Sequence, residues 1–381
     1  MNDILTTEKL LRIINNEIAQ EELKKIVNSP VKQIQELSEG NVNQVFRIVK
    51  EDDTSFIVKY APPFAYRYQH VAIANERNFF ETSILKIFYK TSNHVPKIYG
   101  AILEKNMTFM EDLKDCQTMR EALISGVIFP DFSQHIIEFF TGYLKNAYKD
   151  FVNNTAFSYK DGIPELQAIT KAFVFENPFG KNYPENVVCS GDNLDWVQKN
   201  IFDNPQLQLN RKKLQDNYYN STEALLHGDL HTGSFLVNPK ETYIIDPEFS
   251  KLGPISFDLG MLLANLIMNN IVSEYHLRAD TKKLEAFKRW INKTIETIWL
   301  ETSRLFEANG KDVTKLKQET IGYCGIEIIR RIIGEAQIKD YLEIKDEHIR
   351  TRLERKSMQI AVNQLLDYGK SMEISYYLDQ I

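Results

Sequence analysis

Three acidic residues within the stretch 225–248 are the first candidates for chemistry. Asp229 follows a short apolar run in the sequence His-Gly-Asp, whereas Asp246 and Glu248 end a second apolar run as Asp-Pro-Glu. These carboxylates suit phosphoryl transfer, because one must orient an attacking hydroxyl and accept its proton while the others hold Mg²⁺ against nucleotide phosphates. The sequence therefore predicts Asp229 as the catalytic base and Asp246 and Glu248 as metal ligands.

The residues between these carboxylates predict a β-hairpin that would bring them together. Phe-Leu-Val at 235–237 and Tyr-Ile-Ile at 243–245 are short apolar runs, and Asn-Pro-Lys at 238–240 supplies a turn. The hairpin would place all three carboxylates at one end of a sheet. His-Gly-Asp alone is typical of an ordinary turn, but its combination with an apolar strand and Asp-Pro-Glu is much more specific.

This stretch resembles the aminoglycoside-phosphotransferase and choline-kinase group, distant relatives of protein kinases, and within it the methylthioribose kinases. That family carries His-Gly-Asp-Leu-His-Thr-Gly-Ser, here at 227–234, the Asp-Pro-Glu metal motif, here at 246–248, and Gly-Pro-x-x-Phe-Asp, here at 253–258. The wider group has asparagine where this chain has Ser234, a departure that methylthioribose kinases share. A serine hydroxyl is the weaker metal ligand, so the resemblance places Mg²⁺ mainly on the Asp-Pro-Glu motif, with Ser234 as a third candidate.

Length and composition restrict the class of protein. A chain of 381 residues with 43% apolar and 26% charged residues predicts a globular protein of two domains. The net charge of −6 and the lack of a long basic run argue against a nucleic-acid surface. Cys116, Cys189 and Cys324 lie far apart, which favours a reducing cytosol. A charged N-terminal segment and no long apolar run predict a cytoplasmic protein without a membrane span.

The first part of the chain predicts a small sheet with a turn suited to phosphate. Apolar runs predict three strands at residues 34–37, 45–49 and 56–60. The turn between the first two contains Gly40, Asn41 and Asn43, whose backbone N–H groups could approach nucleotide phosphates closely. If this segment stood alone, a plain hairpin turn would be the better explanation. Ahead of the sheet, residues 6–28 predict one leading helix with a cap at Thr6.

Lys59 supports the nucleotide interpretation of that turn. It lies near the end of the third strand, where kinase-like folds place the lysine that contacts the α- and β-phosphates. The alternative is a solvated charge on an edge strand, but the match with methylthioribose kinases extends here through a similar Gly-Asn-x-Asn-x-Val-Phe segment. Residues 72–90 predict an amphipathic helix with Phe79 in its core face. In the kinase-like fold that the resemblance implies, this helix normally supplies a glutamate that pairs with the strand lysine, here Lys59. Glu81 fits the family spacing better than Glu76, and a solvated helix glutamate explains either residue equally.

The segment Glu111-Asp112-Leu113 follows a predicted strand at 107–110. It resembles the Met-Glu-Asp-Leu hinge of the family, whose backbone groups bind the adenine edge. The resemblance therefore adds Glu111, Asp112 and Leu113 to the ATP-binding residues. It also places the domain boundary here, between a nucleotide-binding lobe at 1–111 and a catalytic, substrate-binding lobe at 112–381.

Two further segments leave alternatives open. Residues 117–224 predict mostly helix, broken by a loop at 177–186 that contains prolines, a glycine and several asparagines. A loop in this region lies near the sugar in the resembling family, although a plain connecting loop is an equally good explanation. Asp258 would tie the backbone of the catalytic loop in place, or it would simply cap the following helix.

Arg330 and Arg331 stand side by side within a run of isoleucines. Neighbours on a helix point about 100° apart, so at least one guanidinium faces the packed side and needs an anionic or hydrogen-bonding partner. Glu327 is the structural candidate for that partner. Methylthioribose kinases have a paired arginine in a very similar segment, so the resemblance favours substrate binding by Arg330 and Arg331, beside Asp229.

The resemblance implies a protein-kinase-like, two-lobed α+β fold and the conversion of 5-methylthioribose and ATP into the 1-phosphate and ADP, a step of methionine salvage. ATP and Mg²⁺ are the implied cofactors, and the family often forms homodimers. A same-fold kinase for 5-deoxyribose, choline, homoserine or an aminoglycoside is the nearer alternative. The paired arginines fit neither of the cationic substrates, choline and an aminoglycoside. A 5-deoxy sugar lacks only the thiomethyl group of methylthioribose, and one such contact separates two substrates by only about 1–3 kcal/mol, so the sequence does not exclude 5-deoxyribose. A nucleotide-binding pseudokinase is the second alternative, against which the joint presence of Asp229, Asp246 and Lys59 argues.

Overall fold

The computed structural model describes residues 4–37, 42–66, 68–153, 160–184, 186–187 and 191–381. Gly40 and Asn41, at the centre of the predicted phosphate-binding turn, lie outside the described residues, as does Cys189. The order of elements confirms the predicted α+β fold, in which an antiparallel sheet comes first and a mostly helical region follows.

We call the first 111 residues the small lobe. Its strands are β1 (Val31–Leu37), β2 (Gln44–Lys50), β3 (Ser55–Tyr60), β4 (Phe64–Ala65), β5 (Tyr68–Ala72), β6 (Ile98–Ile102) and β7 (Met107–Glu111). Five of them form an antiparallel sheet in the spatial order β1-β2-β3-β7-β6, while β4 and β5 pair separately. Every side chain of β3 after the first is buried, so this central strand is covered on both faces. The predicted strands at 34–37, 45–49 and 56–60 all lie within this sheet.

Three helices accompany the sheet, namely α1 (Thr7–Asn16), α2 (Glu21–Ile26) and α3 (Glu76–Thr91). The prediction of one helix over 6–28 is wrong, because the chain turns after α1 and begins again as α2. The turn lets Leu23 lie against Gly100 of β6, where an added Cβ would meet Leu23 at 2.8 Å. Thr6 caps α1 as predicted, accepting a hydrogen bond from the Lys9 N–H at 3.2 Å.

Helix α3 joins the small lobe to the rest of the molecule. Its buried Phe80, Ile84 and Phe88 belong to the same hydrophobic core as the helices beyond residue 112. The prediction that Phe79 lies in this core is wrong, since its side chain is 38% exposed on another face of the helix. The opposite side of the sheet has a separate core, which is closed by α1 and α2.

The residues after 111 form what we call the large lobe, and most of them are helical. Its helices are α4 (Met119–Ile124), α5 (Phe132–Gly142), α6 (Tyr148–Asn153), α7 (Pro164–Thr170), α8 (Gly191–Val197), α9 (Pro205–Asn220), α10 (Ile255–His276), α11 (Thr281–Ala308), α12 (Val313–Ile332), α13 (Lys339–Leu342), α14 (Glu347–Leu366) and α15 (Ile374–Leu378). Three π-helical turns, at Tyr143–Ala147, Lys171–Glu176 and Gln198–Phe202, extend the helices that precede them.

Helix α10 is the centre of the large lobe. Every side chain from Ile255 to Ser273 is buried, and α11, α12 and α14 pack around it. Among the described helices it alone has the length and apolar composition to cross a membrane. The whole of that apolar window is buried inside the protein, as expected for the core helix of a globular domain.

Short strands hold the loops that contain the predicted catalytic residues. They are β8 (Gln117–Thr118), β9 (Ala224–Leu225), β10 (Phe235–Val237), β11 (Thr242–Ile244) and β12 (Leu252–Gly253). Strands β10 and β11 form the predicted hairpin, with Phe235 opposite Ile244, and β8 pairs with the other edge of β10. Strand β9 pairs with β12, so the loop before the hairpin and the loop after it lie side by side.

Candidate active site

The loop that carries Asp229 is held by a buried aspartate from α10. Asp258 accepts hydrogen bonds from the backbone N–H of His227 at 2.6 Å and of Gly228 at 3.0 Å. The cap of α10 is Pro254, so the alternative that Asp258 acts as a helix cap does not hold. The His227 ring donates through Nε2 to the Ile245 carbonyl at 2.8 Å, which joins this loop to the end of the hairpin.

Gly228 is required by the shape of the loop. Its φ is +88°, in the left-handed region, and an added Cβ would lie 2.2 Å from the Phe249 carbonyl oxygen. The loop that contains Asp246 and Glu248 therefore approaches the loop of Asp229 too closely for any side chain at position 228. The glycine of the His-Gly-Asp motif thus brings the three predicted functional carboxylates onto adjacent loops.

Asp229 is surrounded by positive and hydrogen-bonding groups. Its Oδ1 lies 3.1 Å from Arg330 Nη2 and 3.5 Å from Arg331 Nη2, and its Oδ2 lies 3.2 Å from His231 Nε2. Burial alone would raise the pKa of Asp229, but His231 and the two guanidinium groups outweigh it and hold the pKa well below its usual value. Asp229 is therefore a carboxylate that stays ionised and is held in one orientation.

The imidazole of His231 is neutral and has a defined tautomer. Its Nδ1 accepts hydrogen bonds from the Gly233 N–H at 2.9 Å and from Arg120 Nη2 at 3.3 Å. Because both partners can only donate, the ring proton must be on Nε2, which faces Asp229. Burial lowers the pKa of His231 to about 4, and the nearby Arg331 and Arg120 act in the same direction against the attraction of Asp229. A neutral Nε2–H thus donates to Asp229.

The two arginines bond to Glu327, the structural partner that the sequence predicted, and they also reach Asp229, while their binding of substrate stays a prediction. Glu327 is buried and accepts from the Nε atoms of Arg330 and Arg331, the latter at 2.7 Å. The outer Nη2 atoms of the same arginines reach Asp229. Buried arginines need such partners, because an uncompensated buried charge costs several kcal/mol. Glu327 therefore fixes the arginine pair, and the ends of the pair face the site.

Lys59 lies between the two lobes. Its Nζ lies 2.6 Å from Glu81 Oε1 on α3 and 2.5 Å from Asp246 Oδ1 beyond the hairpin. Burial alone would lower the pKa of Lys59, but Asp246, Glu81 and Glu248 raise it above its usual value, so the ammonium stays charged. Glu81 and not Glu76 is the helix glutamate that pairs with Lys59, as the family spacing favoured.

Asp246 and Glu248 lie at the start of a sharp turn. Asp246 has a φ of +62°, a left-handed conformation that costs about 1 kcal/mol or more in an aspartate and often marks a functional site. About half of its side chain is exposed, whereas Glu248 is buried. Burial raises the pKa of Glu248, against the effect of Lys59, so a further cation beside Glu248 would favour its ionised form.

The donor chemistry of this pair fits Mg²⁺. Carboxylate oxygens are the ligands that Mg²⁺ prefers, and a magnesium site in a kinase takes one or two carboxylates, with phosphate oxygens and water completing the octahedron. In the part of the chain that the structure describes, no three His, Cys, Asp or Glu side chains gather in a way that could hold a metal. Two carboxylates only two residues apart are therefore suited to a metal that arrives with its nucleotide.

Two other predicted site residues, Ser234 and Asn43, use their side chains in hydrogen bonds within the protein. The Ser234 hydroxyl donates to the Asp229 carbonyl at 2.7 Å and so closes the catalytic loop, and its role as a metal ligand stays a prediction. The Asn43 amide is buried between Glu248, at 3.1 Å, and Arg77, at 3.2 Å. Asn43 therefore contacts a candidate metal ligand directly, whereas Gly40 and Asn41 lie outside the described residues.

The acidic side chains of the predicted hinge form hydrogen bonds with residues of the small lobe. Asp112 accepts from Arg47 Nε at 2.9 Å and from the Ser55 hydroxyl at 2.6 Å, and its side chain is almost fully buried. Glu111 Oε2 accepts from the Lys97 N–H at 3.0 Å. The Leu113 N–H has no hydrogen-bond partner among the described residues. These contacts fix the course of the backbone at 111–113, and the binding of adenine there stays a prediction.

The loop at 177–186 lies against the end of the arginine helix α12. Pro178 packs on Gly334, and the Val187 N–H donates to the Ile333 carbonyl at 2.9 Å. Asn186 donates to the carbonyls of Asn177 and Gly180, which closes the loop on itself. The loop is therefore a neighbour of the arginine pair and not a distant connection, which keeps its predicted place near the substrate open.

Sequence reasoning missed several residues that the structure brings to this site. His231 lies two positions after Asp229, and its place in the motif was a signal that could have been used. Arg120 and Arg77 are single arginines on helices or at helix starts, with nothing in the local pattern to distinguish them from surface charges. Only the fold brings Arg120 to His231 and Arg77 to Asn43.

Known proteins are similar to this chain in sequence and in fold. Residues 189–287 match the family model described as the phosphotransferase enzyme family. Methylthioribose kinase 1 of Oryza sativa subsp. japonica is 30% identical over 365 residues, which cover 86% of this chain and 83% of the rice protein. The methylthioribose kinase of Bacillus cereus (strain 03BB102) is 30% identical over 361 residues, or 90% of this chain and 89% of its own.

A solved structure supports the fold. The choline/ethanolamine kinase family protein from Mesorhizobium loti superposes with a TM-score of 0.50 at 14% identity, over 99% of both chains. At that identity the likeness concerns the fold and not the substrate, and the fold is the kinase-like α+β architecture that the sequence predicted. With 30% identity to curated relatives along nearly its whole length, this chain belongs to the methylthioribose kinase family.

Proposed function

We propose that this protein is an ATP-dependent kinase that phosphorylates the anomeric hydroxyl of 5-methylthioribose, giving the 1-phosphate and ADP. The observation that supports this most directly is the position of Asp229, which lies between a neutral histidine donor and two buried guanidinium groups. Phosphoryl transfer needs an oriented carboxylate for the attacking hydroxyl and positive charge for the transferred group. Membership of the methylthioribose kinase family gives the substrate class.

Asp229 orients the anomeric hydroxyl and accepts its proton. The hydroxyl oxygen forms a bond to the γ-phosphorus while the bond from that phosphorus to the bridging oxygen of ADP breaks, and the proton passes to the carboxylate. A carboxylate with a low pKa is a weak base, but the transition state of phosphoryl transfer is loose and demands little charge on the nucleophile before the bond forms. His231 holds Oδ2 and Arg330 holds Oδ1, so the hydroxyl meets a carboxylate whose orientation is fixed.

The ATP phosphates and their metal are bound by Lys59, Asp246 and Glu248. Lys59 contacts the phosphates, and the turn around Asn43 covers them. Mg²⁺, when bound with ATP, would be held by Asp246 and Glu248 and would neutralise charge on the phosphate oxygens. The backbone at 111–113 binds the adenine edge, since its carboxylate side chains are already bonded within the small lobe.

The arginine pair favours a neutral polyol over a cationic acceptor. Arg331 Nη2 is buried and lacks a hydrogen-bond partner among the described residues, and it lies 3.5 Å from Asp229 Oδ1. An unpaired buried donor costs about 1–3 kcal/mol, so a sugar hydroxyl that satisfies it gains that energy. Choline or an aminoglycoside would instead bring positive charge towards two guanidinium groups.

A substrate panel tests this proposal. ADP release is measured with Mg-ATP and equal concentrations of 5-methylthioribose, 5-deoxyribose, ribose, choline and kanamycin. We expect the highest kcat/KM with 5-methylthioribose and no turnover of choline or kanamycin. Equal or better turnover of 5-deoxyribose would move the assignment to a 5-deoxy sugar, and turnover of a cationic acceptor would contradict it. Binding of ATP without any turnover would point to a nucleotide-binding protein without kinase activity.

We also propose that the enzyme works in the cytoplasm as a homodimer, as the resemblance to its family implies. The widely spaced cysteines and the burial of the apolar helix α10 are consistent with that compartment. Light scattering during size-exclusion chromatography tests the oligomeric state. A homodimer has twice the chain mass of 44.4 kDa, and elution at that single-chain mass at micromolar concentration would contradict it.

A further inference from the structure

A buried hydrogen-bonded chain crosses from the small lobe to the candidate metal site. Asn43 Nδ2 donates to Glu248 Oε2 at 3.1 Å, and Arg77 Nε donates to Asn43 Oδ1 at 3.2 Å. Asn43 is 4% exposed and Arg77 is fully buried. Asn43 is the last residue of the turn that is predicted to cover the phosphates, whereas Glu248 belongs to the large lobe.

The orientation of the Asn43 amide follows from its partners. A guanidinium can only donate hydrogen bonds, so the oxygen of the amide must face Arg77 and the nitrogen must face Glu248. An ionised glutamate can only accept, which matches that nitrogen. Asparagine is thus suited to this place, because it presents an acceptor to one neighbour and a donor to the other across a single short side chain.

Arg77 is fixed by the backbone around it. Its guanidinium donates to the carbonyls of Ile73, Ala74, Val42 and Phe64 at 3.1 to 3.4 Å. These bonds join the start of α3, the residue before Asn43 and the start of β4. The Asn43 amide therefore has a rigid support, and the same helix α3 supplies Glu81 to Lys59.

We infer that Asn43 is a positioning residue for Glu248, which couples the nucleotide-binding turn of the small lobe to the metal ligand of the large lobe. The bond to Oε2 restrains one oxygen of the carboxylate, while Oε1 has no hydrogen-bond partner among the described residues and is the oxygen left for Mg²⁺. This inference rests on the proposed role of Glu248 in holding Mg²⁺. It adds that Asn43 sets the affinity for the metal without contacting it.

The test is a titration of Mg²⁺ followed by the thermal midpoint, with a non-hydrolysable ATP analogue held at a saturating concentration. The variants are Asn43→Ala, which removes both bonds, and Asn43→Ser, which keeps an acceptor near Arg77 but is too short to reach Glu248. We expect the Mg²⁺ concentration that gives half of the rise in thermal midpoint to be roughly tenfold higher in both variants. This is the loss of Mg²⁺ affinity that follows from losing one hydrogen bond to a charged group. The midpoint shift given by the analogue without Mg²⁺ should fall by much less than the shift that depends on Mg²⁺.

Gln44→Ala is the matched control. Gln44 is also a buried amide, but it bonds to Leu5 and Glu36 on the far side of the strand. This variant should lower the midpoint without ligand and leave the half-point for Mg²⁺ within about twofold of the wild type. It separates loss of a buried amide in general from loss of the contact with Glu248.

A double variant identifies the route of the effect. In a Glu248→Gln background, Asn43→Ser should change the half-point no further, because the two side chains act through one bond. An unchanged half-point in a folded Asn43→Ser protein would overturn the inference, as would an equal loss of stabilisation with and without Mg²⁺. If wild-type protein with the analogue showed no response to Mg²⁺ at all, the metal role of Glu248 itself would fail, which is a different result.

Discussion

The Asp229 carboxylate contacts His231, Arg330 and Arg331, and its replacement is the simplest test at the level of single residues. Asp229→Asn keeps the size and one acceptor but removes the charge that takes the proton. We expect kcat to fall by about 10²–10⁴, the usual contribution of general-base catalysis, with the dissociation constant for ATP unchanged. Steady-state kinetics and equilibrium titration measure the two effects. The exposed Asp216→Asn serves as the control, and turnover retained by Asp229→Asn would remove its catalytic role.

His231 gives the molecule an acid-sensitive contribution to stability. Its pKa is lowered to about 4 in the folded protein, chiefly by burial, from an unfolded value of about 6.5. Because the unfolded chain binds the extra proton more readily, this contribution is fully present above about pH 6.5 and is lost as the pH falls towards 4.

His231→Gln keeps a donor towards Asp229 but cannot take up that proton. The free energy of unfolding of the wild type should fall by about 3 kcal/mol more than that of the variant between pH 7 and pH 4. Urea unfolding at the two pH values measures this difference. His348→Gln, at an exposed position, should behave as the wild type, and equal acid losses in the wild type and in His231→Gln would contradict the assignment.

The sequence predicted those site residues that lie in a short motif, because the neighbouring residues in the chain identify them. Asp229, Asp246 and Glu248 lie in short motifs, and the structure does place them on adjacent loops, although their roles stay predictions. The partners that tune them were not predicted, because Arg120 and Arg77 reach the site through tertiary packing. A lone arginine in a helix has no local signature of burial.

At the level of elements, the approach of two loops at Gly228 makes a sharp prediction. Gly228→Ala must accept both a φ of +88° and a Cβ at 2.2 Å from the Phe249 carbonyl oxygen. We expect a loss of about 2 kcal/mol or more in the free energy of unfolding, and a large loss of turnover because Asp229 shifts. Denaturant titration and steady-state kinetics measure the two effects.

Gly310→Ala isolates the contribution of the backbone angle. Gly310 also has a positive φ, of +68°, but nothing lies within 4 Å of an added Cβ. This variant should lose only about 1 kcal/mol and keep full activity. If Gly228→Ala cost no more than Gly310→Ala, the close approach of the two loops would not be a determinant of the site.

Elements were predicted well where hydrophobic periodicity was regular. The three strands of the small lobe and the β10–β11 hairpin lie where the apolar runs placed them. The leading helix was wrong, because the residues that separate α1 from α2 include no proline or glycine to signal the turn. The docking of Leu23 on Gly100 depends on contacts with β6, which the local sequence does not contain.

For the whole molecule, the packing of α3 predicts how the two lobes unfold. Phe88 is fully buried, and its ring lies edge to face with Phe139 at 5.4 Å and tilted against Tyr143 at 5.5 Å in the large lobe. We keep the boundary at residue 111 as a proposal for how function is divided, but the shared core predicts one cooperative transition. All three tryptophans lie beyond residue 111, so their fluorescence reports on the large lobe while circular dichroism reports on the whole chain.

Phe88→Ala should therefore lower the stability seen by both probes. We expect a loss of about 3–5 kcal/mol, typical of a buried phenylalanine, with coincident transitions by fluorescence and circular dichroism. Phe79→Ala, on the exposed face of the same helix, should cost about 0.5 kcal/mol or less. A variant whose tryptophan transition stayed at the wild-type midpoint would show that the lobes unfold independently.

The assembly of the site could not be derived from local patterns. Asp229 and Arg330 are 101 positions apart, and Asn43 and Glu248 are 205 positions apart, yet each pair is in contact. Resemblance to a family supplied the first association in advance. The contact between Asn43 and Glu248 depends on how α3 packs the small lobe against the large lobe, and no sequence motif predicted it.

The most direct test of the central proposal is to identify the product formed from Mg-ATP and 5-methylthioribose by ³¹P nuclear magnetic resonance. We predict a new phosphate ester whose signal is split by coupling to the anomeric proton, formed by the wild type and not by Asp229→Asn. An ester at another carbon, or the same product at an undiminished rate from Asp229→Asn, would contradict the account of Asp229 as the base for the anomeric hydroxyl.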